Sequence, residues 1–324
     1  MIDPLRPHVR AAALLAACLL ATAGCAGTPA PATPEAAMGA PAGDGTVEII
    51  LLQMNDVYEI GPVSGGQAGG LARVATVRKR LIQEDPDVVT LIAGDLFSPS
   101  AMGTAQVEGK ALDGRQMVAV LNELGLDWAT YGNHEFDLKE GSFFERLAES
   151  EFRWVSANVT AADGSMLPGT VETAVLTLGE EDEGRPVRLG LVGVTLTEND
   201  PAYVTITDPL PALERAVEAL RPQVDVLVAL THLAIEQDVQ AVEEIPGIDL
   251  SLGGHEHENV QVWRGADLTP VMKADANART VYVHRLRVAP DGGLTVRSEL
   301  LPITADIPDD PATAVVVDRW TQAA

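Results

Sequence analysis

The chain has almost no cysteine. Of its 324 residues only Cys18 and Cys25 carry a thiol, and both lie in the first 25 positions. No disulfide is therefore expected within the mature chain, and a thiolate metal cluster is excluded from its main body. A core of this size can be stable from packing alone. Cations are also scarce: 22 Lys and Arg face 47 Asp and Glu, a formal charge of −25. Such a surface argues against nucleic-acid polymers and anionic membrane surfaces as partners. It does not argue against a small anionic ligand, because bound metals would reverse the local field. Internal repeats are missing too. The apolar stretch from Ala11 to Ala21 is too short to span a bilayer as a permanent helix.

That stretch reads as part of a leader. Arg6 and Arg10 precede it, and Thr22-Ala23-Gly24-Cys25 closes it with small residues before a Cys. The pattern is that of a lipoprotein-type signal, with residues 1–24 removed and Cys25 lipidated. Thr22 stands where Leu is usual, and an ordinary signal peptide cut nearby is the other reading. Either one predicts export, to the periplasm or the cell surface, with contact to a membrane only through a lipid anchor at Cys25. Residues 25–45, rich in Ala, Pro, Gly and Thr, read as a flexible tether. Residues 46–304 suit one α/β domain.

Five short polar clusters in that domain each end an apolar run. They are Asn55-Asp56-Val57-Tyr58, Gly94-Asp95, Gly132-Asn133-His134-Glu135-Phe136-Asp137, Thr231-His232 and Gly253-Gly254-His255-Glu256-His257. The runs before them, Val47 to Met54, Val88 to Ala93, Trp128 to Tyr131, Val224 to Leu230 and Ile248 to Leu252, read as buried strands. Ligands bind outside the carboxyl ends of strands in α/β folds, so the clusters should converge on one sheet edge. What converges is Asp, Asp, Asn and three His, a donor set that suits a pair of divalent transition metals. Helical spacing over Leu71–Gln83, Gln116–Leu124, Gly141–Ser150 and Pro211–Leu220 alternates with these runs and with expected strands at Phe152–Val159 and Val187–Val194.

The five blocks, in this order, resemble the calcineurin-like metallophosphoesterases, in the branch of the bacterial 5'-nucleotidases. That family reads Asp-x-His, Gly-Asp, Gly-Asn-His-Glu, a His after a strand, and Gly-His-x-His. The resemblance implies a four-layer α-β-β-α sandwich with two mixed β-sheets. It also implies two divalent or mixed-valence transition metals, drawn from Zn, Mn, Fe and Co. Its activity would be hydrolysis of a small phosphate ester, a 5'-nucleotide first, by metal-activated hydroxide. A broad phosphomonoesterase, a phosphodiesterase, or a surface lipoprotein that keeps the fold for binding without turnover are the alternatives. In the nucleotidase branch a linker helix leads to a second domain that sandwiches the base. Here residues 305–324, with Pro308-Asp309-Asp310-Pro311 before a helical Ala312–Thr321, read as the start of that linker, with the second domain expected to be absent.

Residue by residue, the resemblance makes Asp95 the bridging ligand; a plain Gly-Asp turn is the bland alternative. It assigns Asp56 and His257 to the first metal, and Asn133, His232 and His255 to the second beside Asp95. His134 would protonate the leaving oxygen, held by Asp137 three residues on; a helix-start histidine is the alternative. Glu256 and Glu258 are expected to face solvent, His284 to be structural, and Arg73 to support the site loops. Tyr58 departs from the family, which has His there. It could bind the first metal as phenolate, stand behind a water ligand, or simply pack.

Overall fold

The computed structural model describes residues 45–179 and 185–324. The leader, Cys25 and nearly all of the expected tether lie outside the described residues. Two large mixed sheets form the centre. The first has seven strands in the order Thr170–Val171, Arg153–Val155, Trp128–Thr130, Val89–Ala93, Val47–Met54, Thr280–Val288, Leu294–Pro302. The second has six: Thr173–Leu178, Val187–Thr195, Val226–His232, Leu250–Gly253, Thr269–Lys273, Val260–Arg264.

Strand alternation explains the layering. In Val47–Met54, Ile49 and Leu51 join the core between the sheets, while Ile50, Leu52 and Met54 join the core beneath the helices. In Val226–His232, Val226, Val228 and Leu230 face the first of these cores, and Leu227 and Ala229 face helices on the other side. Both faces of each central strand are thus buried, which is why these runs read as continuously apolar. Helices Leu71–Glu84, Arg115–Leu124, Glu140–Glu149 and Pro311–Ala323 cover the first sheet; Pro209–Leu220 and Ile235–Glu244 cover the second. This is the four-layer α-β-β-α sandwich with two mixed sheets. Among the described residues no helix is long and apolar enough to cross a membrane.

The C-terminal helix is docked on the domain. Asp310 caps it by accepting from Thr313 N at 3.0 Å, Pro311 occupies its first turn, and Trp320 is buried on its inner face. The elements differ from expectation in several places, of which two bear on the strands and helices around the site. Phe152–Val159 is not one strand: Arg153–Val155 ends in the large sheet, and Val159–Ala161 pairs with Val204–Ile206. Asn158 makes the break, because its side chain donates to Thr195 O and Thr207 O and accepts from Thr195 N. Helix Ile235–Glu244 is not among the expected helices; Asp238, Ala241 and Val242 are buried along it.

Register sets the site's location. Thr195 pairs with His232, Thr231 with Gly253, and Gly253 with Lys273, so these parallel strands end level with one another. In the other sheet Met54 pairs with Ile92 and Ala93 with Thr130. The polar clusters leave both sheets at the same edge.

Candidate metal centre

Each predicted site residue lies at that edge. Carboxylate and imidazole atoms of Asp56, Asp95 and His257 all fall within 4.8 Å of one another. His257 Nε2 lies 3.4 Å from Asp56 Oδ1, and His232 Nε2 lies 3.4 Å from Asp95 Oδ2. Asn133 Oδ1 is 3.2 Å from His232 Nε2, and the His232 and His255 ring centres are 5.4 Å apart. Asp95 therefore stands between two donor groups, with Asp56 and His257 on one side and Asn133, His232 and His255 on the other.

The surrounding contacts aim these groups. Asn55 donates to Asp56 Oδ2 at 2.7 Å and is itself fixed to Ala274 O and Ala274 N. His232 Nδ1 lies 2.8 Å from Ala93 O; donating there, it leaves Nε2 free to face the cluster. Glu135, fully buried, accepts from the backbone N–H groups of Asp95, Leu96, Phe97 and Gly132 and so shapes the Asp95 loop. Four candidate ligands sit at positive φ: Asp56 at 53°, Asp95 at 59°, His255 at 89° and His257 at 61°. For non-glycine residues this conformation costs on the order of 1–3 kcal/mol each, and such strain concentrates at functional sites. Gly254 is needed for close approach: a Cβ there would meet Ala93 O at 2.2 Å and His232 Nδ1 at 2.9 Å.

The electrostatics match the geometry. Burial alone would raise the Asp95 carboxyl, but His232, His134 and the His134 N–H hold it at about 2. Burial opposes charge on His232, yet the Asp95 and Asp56 carboxylates raise it to about 10. Burial and the Asp95 charge push Glu135 up to about 7 against its backbone donors. A cation beside the Asp95 carboxylate would compete with the proton held by His232. The donors are oxygens and imidazoles with no thiolate, buried or half-buried except for the exposed His257, and they fit divalent transition metals.

Tyr58 lies inside this cluster. Its hydroxyl is 2.8 Å from Asp95 Oδ2, 2.8 Å from His257 Nε2 and 3.3 Å from Asp56 Oδ1. The side chain does more than pack. Burial, then the Asp95 and Asp56 carboxylates, push its phenol well above the ordinary range. Its backbone is held by Asn277, whose Oδ1 accepts from Tyr58 N and Glu59 N.

Beside the cluster, His134 begins a short 3-10 helix that places Asp137 beneath it, with Nδ1 and Oδ2 2.7 Å apart. Asn199 donates to Asp137 Oδ1 at 2.9 Å and Ser98 to Asp137 Oδ2 at 3.2 Å. The His134 ring is about one-third exposed, so its other nitrogen can reach a ligand.

The remaining sequence expectations divide. Arg73 donates to Gly66 O and Gly69 O, holding the Gly-rich turn. His284 is buried between Gln53 and Ser298, and burial pushes it down to about 3, so it stays neutral. Glu258 is exposed. Glu256 is a correction. It turns inward, pairs with the buried Lys273 and accepts from Ile235 N at 2.6 Å. A Glu between two loop histidines carries no local sign of this, because its partner lies on another strand. Asn199 and Asn277 were likewise not legible as site residues, and Asn55 and Glu135, although they lie within the polar clusters, were given no role of their own.

Comparison with known proteins places this geometry. A family model described as calcineurin-like phosphoesterase matches residues 50–259. The bovine (Bos taurus) 5'-nucleotidase is 29% identical over 78% of this chain and 47% of its own length. The human (Homo sapiens) 5'-nucleotidase is 28% identical over 90% of this chain and 56% of its own. The chain thus spans about half the length of these curated relatives. Among solved structures, a 5'-nucleotidase precursor from Thermus thermophilus aligns with a TM-score of 0.73 at 24% identity, covering 85% of this chain and 59% of that one. This likeness speaks for the fold.

Proposed function

Because the chain belongs to the calcineurin-like phosphoesterase family, in which divalent metals are implied, we propose that it is an exported two-metal phosphoesterase acting on small phosphate esters. The observation that carries this reading is the convergence of Asp56, Asp95, Asn133, His232, His255 and His257 on one edge with the His134–Asp137 pair beside them. The names of the relatives make 5'-nucleotides the first substrates to try, with phosphodiesters the second class. Export rests on the Arg6-to-Cys25 pattern.

In this reading Asp56 and His257 would hold the first metal, Asn133, His232 and His255 the second, and Asp95 would be shared by both. When bound, the metals supply a water acidic enough to attack at neutral pH and offset charge on the phosphoryl oxygens. Asn133 and His134 line the place where the ester would sit. His134, as the imidazolium, gives its Nε2 proton to the departing oxygen, and Asp137 holds the ring through Nδ1 and pairs with that charged form.

The test is metal content followed by phosphate release from a panel of nucleotides, simple monoesters and diesters. Purified protein is expected to carry about two transition-metal ions per chain and to lose activity with a chelator. Activity that survives complete metal removal would end the two-metal reading. Stoichiometric metal without turnover on any ester would favour a binding protein.

Tyr58 gives a further expectation. We place its phenol behind a water ligand of the first metal, since the other donors suit divalent ions without it. Tyr58→Phe should then leave the protein colourless with unchanged metal stoichiometry. Tyr58→His should restore the family's Asp-x-His pair and tighten the first metal by about 10–100-fold. A visible charge-transfer band that bleaches in Tyr58→Phe would instead make Tyr58 an iron-bound phenolate.

A further inference from the structure

Lys273 ends the strand Thr269–Lys273 and is fully buried. Its ammonium donates to Leu233 O at 2.6 Å and forms a short contact with Glu256. Asp238, equally buried, faces it at 2.7 Å as an ion pair. Each partner reaches onward. Asp238 Oδ1 accepts from Thr231 Oγ1 at 2.6 Å, and Glu256 Oε1 accepts from Ile235 N at 2.6 Å. Thr231 and Leu233 flank His232, and Glu256 separates His255 from His257. One ammonium thus ties together the strand end that carries one candidate ligand, the loop that carries two more, and the helix Ile235–Glu244 behind them. Its stem runs over Gly253, where a Cβ would meet Lys273 Cε at 2.8 Å. The bare glycine at the loop's start makes room for the lysine.

Stability alone does not account for this arrangement. A buried ion group repays its desolvation poorly, and well-packed apolar side chains of the same volume are often as stable or more so. An apolar side chain at 273 could fill the space, but it could not hold three segments at a set distance by directed contacts. We propose that Lys273, with Asp238 and Glu256, is a positioning device that sets the spacing of His232 against His255 and His257. The proposal rests on the two-metal reading, because only a bound metal makes that spacing matter. Lys273 touches neither metal nor substrate in this scheme.

The experiment uses the full chain and Co²⁺ as the probe. Lys273→Met alone leaves the buried Asp238 and the half-buried Glu256 without their cation and is expected to lower Tm. The decisive variant is the neutral triple Lys273→Met/Asp238→Asn/Glu256→Gln, which removes every charge of the group together. Its apo form is expected to unfold at or above the parent's temperature. Its Co²⁺ affinity should nevertheless fall by about 10–100-fold, the range typical when partners of metal ligands are lost. The visible Co²⁺ bands should shift in position or intensity, which a merely structural role would not produce. Parent-like Co²⁺ affinity and spectrum in the triple variant would overturn the positioning role while leaving the two-metal reading intact. A parent chain that binds no Co²⁺, Zn²⁺ or Mn²⁺ overturns both.

Discussion

Asp95→Ala should strip both metals from the protein at once and abolish phosphate release. A carboxylate has two oxygens, and one Asp can bridge metals about 3.5–4 Å apart. Asp95 is placed for this: Oδ2 faces Tyr58 and His232, and Oδ1 accepts from His134 N at 3.0 Å. The neighbouring Asp56 carboxylate has Oδ2 engaged by Asn55 and by the His255 N–H, which leaves only Oδ1 toward the cluster. Metal Lewis acidity supplies several kcal/mol of charge stabilisation, so turnover should fall by about 10³-fold or more. Metal analysis per folded chain is the measurement, with circular dichroism to confirm that the sandwich persists. His232→Ala is the contrast: it should weaken one metal and leave the other near the parent's affinity. Retention of a full metal complement in Asp95→Ala would remove Asp95 from the bridge and require another ligand between the two halves of the cluster.

His134→Asn is the second large effect, and it should separate chemistry from metal binding. The ring contacts Asp137 rather than the candidate ligand atoms, so metal content should hardly change. Turnover should drop by roughly 10²–10⁴-fold, the usual range for proton transfer by a positioned side chain. The deficit should shrink on nitrophenyl phosphate, whose leaving group needs little protonation, and stay large on alkyl esters and nucleotides. Asp137→Asn should cause a smaller loss of the same kind, because Asn199 and Ser98 still hold position 137. An equal loss across all leaving groups would instead assign His134 to charge stabilisation on the phosphoryl oxygens.

The parts of this protein legible in its sequence share one property: their causes are local. Val47–Met54 reads as a strand because every second residue must face one apolar layer and the rest another. Its polar cluster follows directly, so chain order alone delivers Asn55 and Asp56 to the strand end. The same holds for Asp95, Asn133, His232 and the two loop histidines, whose chemistry and place after a strand are written within a few residues. The two-sheet arrangement was different. Alternation of helices and strands is equally compatible with a single doubly wound sheet, and only the family resemblance pointed to two.

What tertiary structure decided is everything that depends on partners distant along the chain. Tyr58 could have packed, but its hydroxyl meets a histidine 199 residues away and Asp95 37 residues away. Glu256 looked free because its cation stands at the end of another strand, and Asp238 is brought to the same ammonium only by the docking of helix Ile235–Glu244. Asn158 broke an expected strand by bonding across to Thr195 and Thr207. A buried polar group must find its partner wherever the fold puts one. Local pattern therefore specifies which donors reach the edge, while the register of the two sheets decides which of them meet.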